Sequence, residues 1–488
     1  MSAGARQGSG HVLVKVSAAV SALVVCVLAV LMAPRPPALG PQRTGDAALA
    51  RDVLRAAGED GYQGLSVALL ENGRIRYAGL GTADGSRPAD ERTAYEIGSI
   101  TKTMTGMLLA DLAEDGLSPD TPVRDLLPRA GLSTPATLAE LASHRSGLPR
   151  LPVSGRLLAG ALLGPYTGAD PYGGAGPGEV LAGAAAVKAG PRGTVAYSNL
   201  GMSLLGLALA ERFGTTYADL LRTRLLTPLG MTSTVALGPR DALPARHATG
   251  RAQNGLTMDF WRSHGYAPAG GGVWSTAEDL AKLVGAVMNG SAPGAGAATP
   301  RWDEDDRRRV GYGWFTTRYD TRTITWHNGG TGGFTSFAGY DPATRRGVVV
   351  LSSTAKPVDA VGLRLLGVPA PGDGNTLTPQ GIVMLIVTFG GLGLLVAAAR
   401  GRVRDRLSIV GRTLSGLFLL LVARNGGPWE VVPPFVWLAG AGVLAAAVAL
   451  AVLRWPALPL TRGRPWWRWA SAALPAALLL ALALAMAG

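Results

Sequence analysis

The sequence holds one cysteine, Cys26, and five histidines, at 11, 144, 247, 264 and 327, in 488 residues. A single cysteine excludes an intramolecular disulfide framework and any cysteine-based zinc site, and the histidines show no ligand spacing, so neither metal nor cofactor is expected. Charged residues are scarce at 16%, against about 25% in soluble proteins, while apolar residues reach 48%. That balance excludes intrinsic disorder and points to lipid. The formal charge of +13 resembles a nucleic-acid signal, but its placement excludes nucleic acid as a partner. Residues 376–488 carry ten Arg, no Lys and two acids, a net of +8, which leaves +5 for the other 375 residues. These arginines flank apolar runs, where they orient a membrane protein.

From Val16 to Ala33 the chain runs 18 residues without a charge, after Arg6 and Lys15 and before Pro34-Arg35-Pro36-Pro37. At about 1.5 Å per residue such a helix spans roughly 27 Å, close to the hydrocarbon thickness of a bilayer. It reads as an uncleaved anchor or an export signal, and either would export the domain C-terminal to it. Four more apolar runs lie at 381–399, 407–423, 431–453 and from 470 to the end. Arg400, Arg402, Arg404 and Arg406 separate the first two, and Arg454, Arg462, Arg464 and Arg468 the last two. Under the positive-inside rule these loops are cytoplasmic and the connector Arg424–Glu430 faces outward, in parity with a cytoplasmic N-terminus. Arg412 interrupts the second run, and Trp466, Trp467 and Trp469 beside Arg468 form either an interfacial belt or a packed cluster. The expected organisation is an anchor or signal over 1–39, an extracytoplasmic domain over 40–375 and a four-helix transmembrane region over 376–488. Lipid is thus one expected partner; any protein partner of the last four helices stays undefined.

The middle region mixes strand and helix signals. Leu65–Leu70 and Arg74–Gly79 flank Glu71-Asn72-Gly73 and read as a hairpin on an Asn-Gly turn. A second hairpin is expected from Thr335–Tyr340 and Gly347–Ser352. Helical patterns cover about 99–114, 199–213 and 276–288, the last with a capping box in Ser275-Thr-Ala-Glu278. Strands at both ends with helices between predict an α+β fold: one antiparallel sheet flanked by helices, with a helical subdomain. Gly155–Gly178 and Gly290–Pro300 read as loops, the first long enough for a lid, and Asp303–Arg309 as a solvated surface loop.

Lysine numbers five against 41 arginines, so each lysine position is informative. Lys102 follows Ser99 by three residues in Glu96-Ile-Gly-Ser99-Ile-Thr-Lys102, a spacing that puts both on one helix face. A serine hydroxyl needs a nearby base to become a nucleophile, and a desolvated lysine can be neutral enough to serve. The alternative is a helix cap with an exposed lysine. In Tyr197-Ser198-Asn199 the tyrosine can relay a proton if cations lower its pKa, and the asparagine can orient a lysine and bind a substrate amide; the same residues also suit a turn and a cap. His327-Asn328-Gly329-Gly330 precedes a strand. There the histidine can hold a substrate carboxylate or support a proton relay, and the glycines admit substrate to the backbone.

Ser-x-x-Lys, Tyr-Ser-Asn and His-x-Gly in this order resemble the penicillin-recognising serine hydrolases, the family of class C β-lactamases, D-Ala-D-Ala carboxypeptidases, esterases and D-aminopeptidases. Leu138–Pro149, Pro228-Leu-Gly-Met231 and Gly271–Leu280 extend the likeness over about 45–368. The resemblance implies a β-lactamase/DD-peptidase-like fold and an acyl-enzyme mechanism on an amide, ester or lactam, with a small molecule or a peptidoglycan peptide as substrate. It assigns Ser99 as nucleophile, Lys102 as its proton acceptor, Tyr197 to proton transfer and Asn199 to orienting Lys102 and substrate. His327 stands where typical β-lactamases carry the lysine of Lys-Thr-Gly, and the N–H groups of Ser99 and Gly330 would form the oxyanion hole. Gly329 and Asn328 complete the substrate-binding set, Asn328 replacing the usual Thr or Ser and removing a hydroxyl that helps bind a carboxylate. His144 is read as a packing or turn element, and His247 and His264 as surface. A second function, an acylated sensor that signals through its membrane helices, would need a partner, because loops of about seven and sixteen residues hold no effector domain.

Overall fold

A computed structural model of the chain describes residues 3–320, 322–370, 377–462 and 465–487. After the apolar helix α1 (Ala3–Met32), the strand β1 (Arg43–Gly45) leads into α2 (Ala47–Ala57), which is capped where Asp46 Oδ1 accepts from the Leu49 N–H at 2.8 Å. The hairpin β2 (Gly64–Glu71) and β3 (Arg74–Gly81) turns on Asn72 and Gly73, whose φ of +53° and +73° suit the twist of the flanking strands. A helical block comes next, with α3 (Thr101–Glu114), α4 (Gly155–Thr167), α5 (Asn199–Arg212) and α6 (Ala277–Met288) as its main elements. The chain then returns through β4 (Trp302–Asp303), β5 (Arg308–Val310), β6 (Phe315–Arg318), β7 (Thr323–Gly330), β8 (Thr335–Asp341) and β9 (Arg346–Ser352) to α7 (Asp359–Leu365).

These nine strands form one antiparallel sheet in the order β1-β3-β2-β9-β8-β7-β6-β5-β4, and the short strands Tyr95–Glu96, Val273–Ser275 and Val235–Ala236 form a second, three-stranded sheet among the described residues. Its first and last long strands meet at the centre, where Val67 lies opposite Val350. Leu65, Val67 and Val350 pack beneath α2 and α7, while Ala68, Leu70 and Val349 face α3 and α6. Burial on both faces explains why β2 reads as a nearly unbroken apolar run rather than an alternating one.

Four local expectations change. Gly155–Gly178 is mostly helical: Ser154 Oγ caps α4 by accepting from the Leu157 N–H at 3.2 Å, and the Leu/Ala content between the glycines sustains the helix until Gly168 ends it at φ +80°. Asp303–Arg309 contributes the edge hairpin of β4 and β5, where Asp303–Arg309 and Glu304–Arg308 ion pairs neutralise the charge run. The cap of α6 is Thr276, because Ser275 is already bonded to the Thr234 hydroxyl at 2.8 Å. His247 and His264 are half-buried, His247 edge-on to the Trp274 ring.

Beyond the sheet come α8 (Pro379–Thr388), α9 (Leu392–Ala399), α10 (Arg406–Gly426), α11 (Phe435–Arg454) and α12 (Pro465–Ala487). Val12–Met32, Pro379–Ala399, Arg406–Gly426 and Phe435–Ala457 are long and apolar enough to cross a membrane; in α12 the apolar stretch Trp469–Leu482 is shorter among the described residues. At one end Arg424 Nε ties α10 to α1 by donating to the Met32 carbonyl at 2.6 Å, and Asn425 Nδ2 ties it to the sheet domain by donating to the Tyr166 carbonyl at 2.6 Å. Arginines gather at the other end, where Arg406 Nε donates to the Trp455 carbonyl at 3.1 Å and Arg454 to the Ala399 carbonyl at 3.4 Å. Arg412 is exposed six residues into α10, about 9 Å along the axis, so its stem can reach back to that arginine-rich end. Trp466 and Trp469 are exposed; the side chains of Trp467 and Arg468, Arg464 and the 375–376 boundary lie outside the described residues.

Candidate active site

Ser99 occupies a 3-10 turn, Gly98–Ile100, that feeds directly into α3. Two glycines let this turn meet the end of β7: Gly98 holds φ +51°, and a Cβ on Gly329 would stand 2.0 Å from the Ile97 carbonyl oxygen. Only a residue without a side chain allows that approach. One helical turn on, Lys102 is fully buried, with Nζ 2.7 Å from Ser99 Oγ and donating to the Ala269 carbonyl at 2.6 Å. Burial, helped by the Arg150 charge, holds its pKa well below the usual lysine value, so the neutral amine is favoured.

Tyr197 and Asn199 flank Ser198, which caps α5 by accepting from the Gly201 N–H at 2.9 Å. The structure therefore joins both readings of this motif: the middle residue builds the helix start and its neighbours line the site. The Tyr197 hydroxyl bonds to Ser99, and its ring lies 4.9 Å from Lys102 Nζ and 5.4 Å from the Arg150 guanidinium. The cations do not prevail, because burial pushes the phenol up to about 12. Asn199 Nδ2 reaches the Tyr172 hydroxyl at 3.5 Å, and its buried Oδ1 has no partner among the described residues. Lys102 is oriented instead by the Ala269 carbonyl, so Asn199 faces the chamber rather than the amine.

Strand alternation divides the His327 motif. His327 is buried on the α3 side, 6.2 Å from Tyr197 between ring centres, and burial followed by the Lys102 charge lowers its pKa to about 3. Its Nδ1–H donates to the Asn328 carbonyl, which leaves Nε2 as a buried acceptor without a partner among the described residues. A neutral imidazole with its donor engaged suits a hydroxyl or amide, not a carboxylate. Asn328 points the other way: its Nδ2 donates to Asp359 on α7 at 2.7 Å, across the sheet from Ser99. This corrects the placement of Asn328 in the substrate-binding set, since period two sends neighbouring side chains to opposite faces. Gly330 stays exposed beside Ser99 at the chamber wall.

The chamber over Ser99 has a volume of about 40 Å³, enough for a few waters. It shares Tyr172 and Tyr266 with a groove of about 600 Å³ lined by Leu151, Val153, Leu157 and Val187.

A family model described as Beta-lactamase matches residues 49–368. The chain belongs to the β-lactamase family. A D-aminopeptidase of Gluconobacter oxydans is 25% identical over 378 residues, 72% of this chain and 69% of that protein. The D-alanyl-D-alanine-carboxypeptidase/endopeptidase AmpH of Escherichia coli K12 is 29% identical over 238 residues, 46% of this chain and 57% of AmpH. The class C β-lactamase of Rhodobacter sphaeroides superposes with a TM-score of 0.54 at 23% identity, covering 65% of this chain and 96% of that structure. The fold is thus class C β-lactamase-like, and the chain is a serine hydrolase of the β-lactamase/DD-peptidase type.

Within this β-lactamase-family site, motif reading missed four wall residues: Arg150, Tyr172, Trp261 and Tyr266. Arg150, Tyr172 and Trp261 come from loops and Tyr266 from the 3-10 helix His264–Ala269, with no regular spacing relative to Ser99, and only Arg150, directly after Leu148-Pro149, stood beside a recognisable motif. His144, read as a packing element, lies 4.5 Å from the Tyr197 ring and accepts from the Ser198 N–H at 3.3 Å, so it positions the tyrosine loop. Glu96 lies beneath the wall: Oε1 accepts from the Trp261 N–H at 2.8 Å, and burial raises its pKa to about 8.

Proposed function

We propose that this β-lactamase-family enzyme is a membrane-anchored, extracytoplasmic hydrolase that cleaves an amide, ester or lactam through a Ser99 acyl-enzyme. The observation that carries the reading is the buried Lys102 amine 2.7 Å from Ser99 Oγ. Lys102 takes the Ser99 proton as Oγ attacks the carbonyl, and the Ser99 and Gly330 N–H groups hold the oxyanion, a contribution worth about 10²–10³ per donor. Tyr197, protonated at neutral pH, passes a proton to the leaving group, with the His327 Nε2 acceptor behind it. Asn199 Oδ1 accepts from a substrate amide N–H. Arg150, exposed at the rim and unpaired with any carboxylate among the described residues, receives an anionic substrate group, the role that the motif alone suggests for His327. The groove beside Tyr172 takes an apolar substrate portion.

The D-aminopeptidase and carboxypeptidase relatives support small peptides ending in D-residues as the first substrates to test, beside β-lactams and simple esters. Arginine-rich loops at the end of the apolar helices away from the catalytic domain support an outward-facing site, with domain limits near 40 and 375. The test is intact-mass spectrometry of the full-length protein in detergent, with and without Ser99→Ala, after adding a fluorescent penicillin, a p-nitrophenyl ester or a D-Ala-D-Ala peptide. A Ser99-dependent adduct that forms and clears is the expected result. An adduct that persists indicates the acylated sensor, and turnover that survives Ser99→Ala overturns the assignment.

A further inference from the structure

Helix α4 is inserted between two walls of the catalytic chamber, with Arg150 before it and Tyr172 after it. Its polarity is inverted relative to a surface helix. Leu157 packs on the core and Gly164 is buried, whereas Leu158, Leu162 and Leu163 are 59%, 62% and 60% exposed. At 3.6 residues per turn these three leucines fall within an arc of about 140°. The helix carries one charge, Arg156, and this is paired with Glu179 at 2.5 Å.

Its position explains the inversion. Helix α4 packs against α10 and α12. The Tyr166 carbonyl, near its C-terminus, accepts from Asn425, and the Tyr166 ring lies against Gly426, the last residue of α10. The exposed leucines therefore sit level with the domain-proximal ends of helices long and apolar enough to cross a bilayer. We propose that α4 lies in the outer interface of the lipid bilayer, with Leu158, Leu162 and Leu163 at the boundary of the acyl chains. This rests on the membrane-anchored reading of the protein. Lipid covers the apolar face, and the chamber mouth is held at the membrane surface, where a substrate bearing a lipid anchor is within reach.

Single-site labelling tests it. The one native cysteine, Cys26, is exposed on α1 and reports on the anchor itself. In a Cys26→Ser background, full-length protein carrying Leu162→Cys or Ala343→Cys takes an environment-sensitive fluorophore. Ala343 is exposed on the β8–β9 turn, the end of the sheet remote from the apolar helices. The proteins are placed in phosphatidylglycerol/phosphatidylethanolamine vesicles and quenched with iodide or with doxyl-labelled lipid. The label at 162 should be quenched by doxyl lipid and be about threefold less sensitive to iodide than the label at 343. If Cys26 is reached by doxyl lipid but 162 responds like 343, the proposal for α4 fails while the anchor stands. If Cys26 is not reached either, the anchored reading fails with it. Shielding of 162 from both quenchers indicates a second copy or another protein and overturns lipid as the occupant.

Discussion

Lys102 and Tyr197 enclose the same hydroxyl, yet burial moves them in opposite directions. It depresses the lysine, favouring the base, and raises the tyrosine to about 12, favouring the acid. In the proposed mechanism acylation needs the neutral amine, so the rate should hold above the depressed lysine pKa and fall with unit slope as pH drops below it. Tyr197→Phe should lower the rate by about 10²–10⁴ without moving that acid limb, whereas Lys102→Gln should remove the limb along with most activity; pH–rate profiles of kcat/KM check both. Glu96 supplies a stability signature. Its folded-state pKa, about 8, lies above the ordinary 4.5, so its share of stability is full below about pH 4.5 and is lost as pH rises toward 8. Glu96→Gln keeps an acceptor for the Trp261 N–H and cannot ionise. Melting temperatures in detergent should fall between pH 5 and 8 for the natural protein and stay flatter for the variant.

At the scale of the element, β7 gives neighbouring residues unrelated tasks. Gly329→Ala places a Cβ 2.0 Å from the Ile97 carbonyl and must push the strand from the Ser99 turn, so hydrolysis should drop at least about 10²-fold with a loss of roughly 1–3 kcal/mol. Asn328→Ala loses the bond to Asp359 on the far face and should cost about 1 kcal/mol while leaving kcat within a few-fold. Comparing activity and melting temperature of the two variants separates these effects. The hairpin at Asn72-Gly73, the sheet built from both ends of the middle domain and the helices starting near 99, 199 and 276 were legible in sequence, because turn chemistry and periodicity are local. Helix α4 was not, since glycine and proline content outweighed its Leu/Ala register. The β4–β5 hairpin was hidden in a charge run whose ions pair only once the strands meet.

For the whole molecule, the arginine-rich loops bind the far ends of α9, α10 and α11 together, while Met32, Asn425 and Tyr166 meet at the catalytic end. The proposed topology predicts that a fluorescent-protein fusion after Arg404 is bright and an alkaline-phosphatase fusion there inactive, with the reverse after Glu430. Equal activity of both reporters at one site would refute it. The sequence alone determined the reaction class and the apolar segments and singled out Ser99 and Lys102 as candidates, because ordered motifs and apolar runs are written in residue types along the chain. Tertiary structure decided what spacing cannot express. Packing of distant loops brought Arg150, Tyr172 and Trp261 to the chamber, burial set the protonation of Lys102, Tyr197 and His327, and the pleat of β7 turned Asn328 away. Protonation and facing depend on surroundings that are assembled only when the chain is folded.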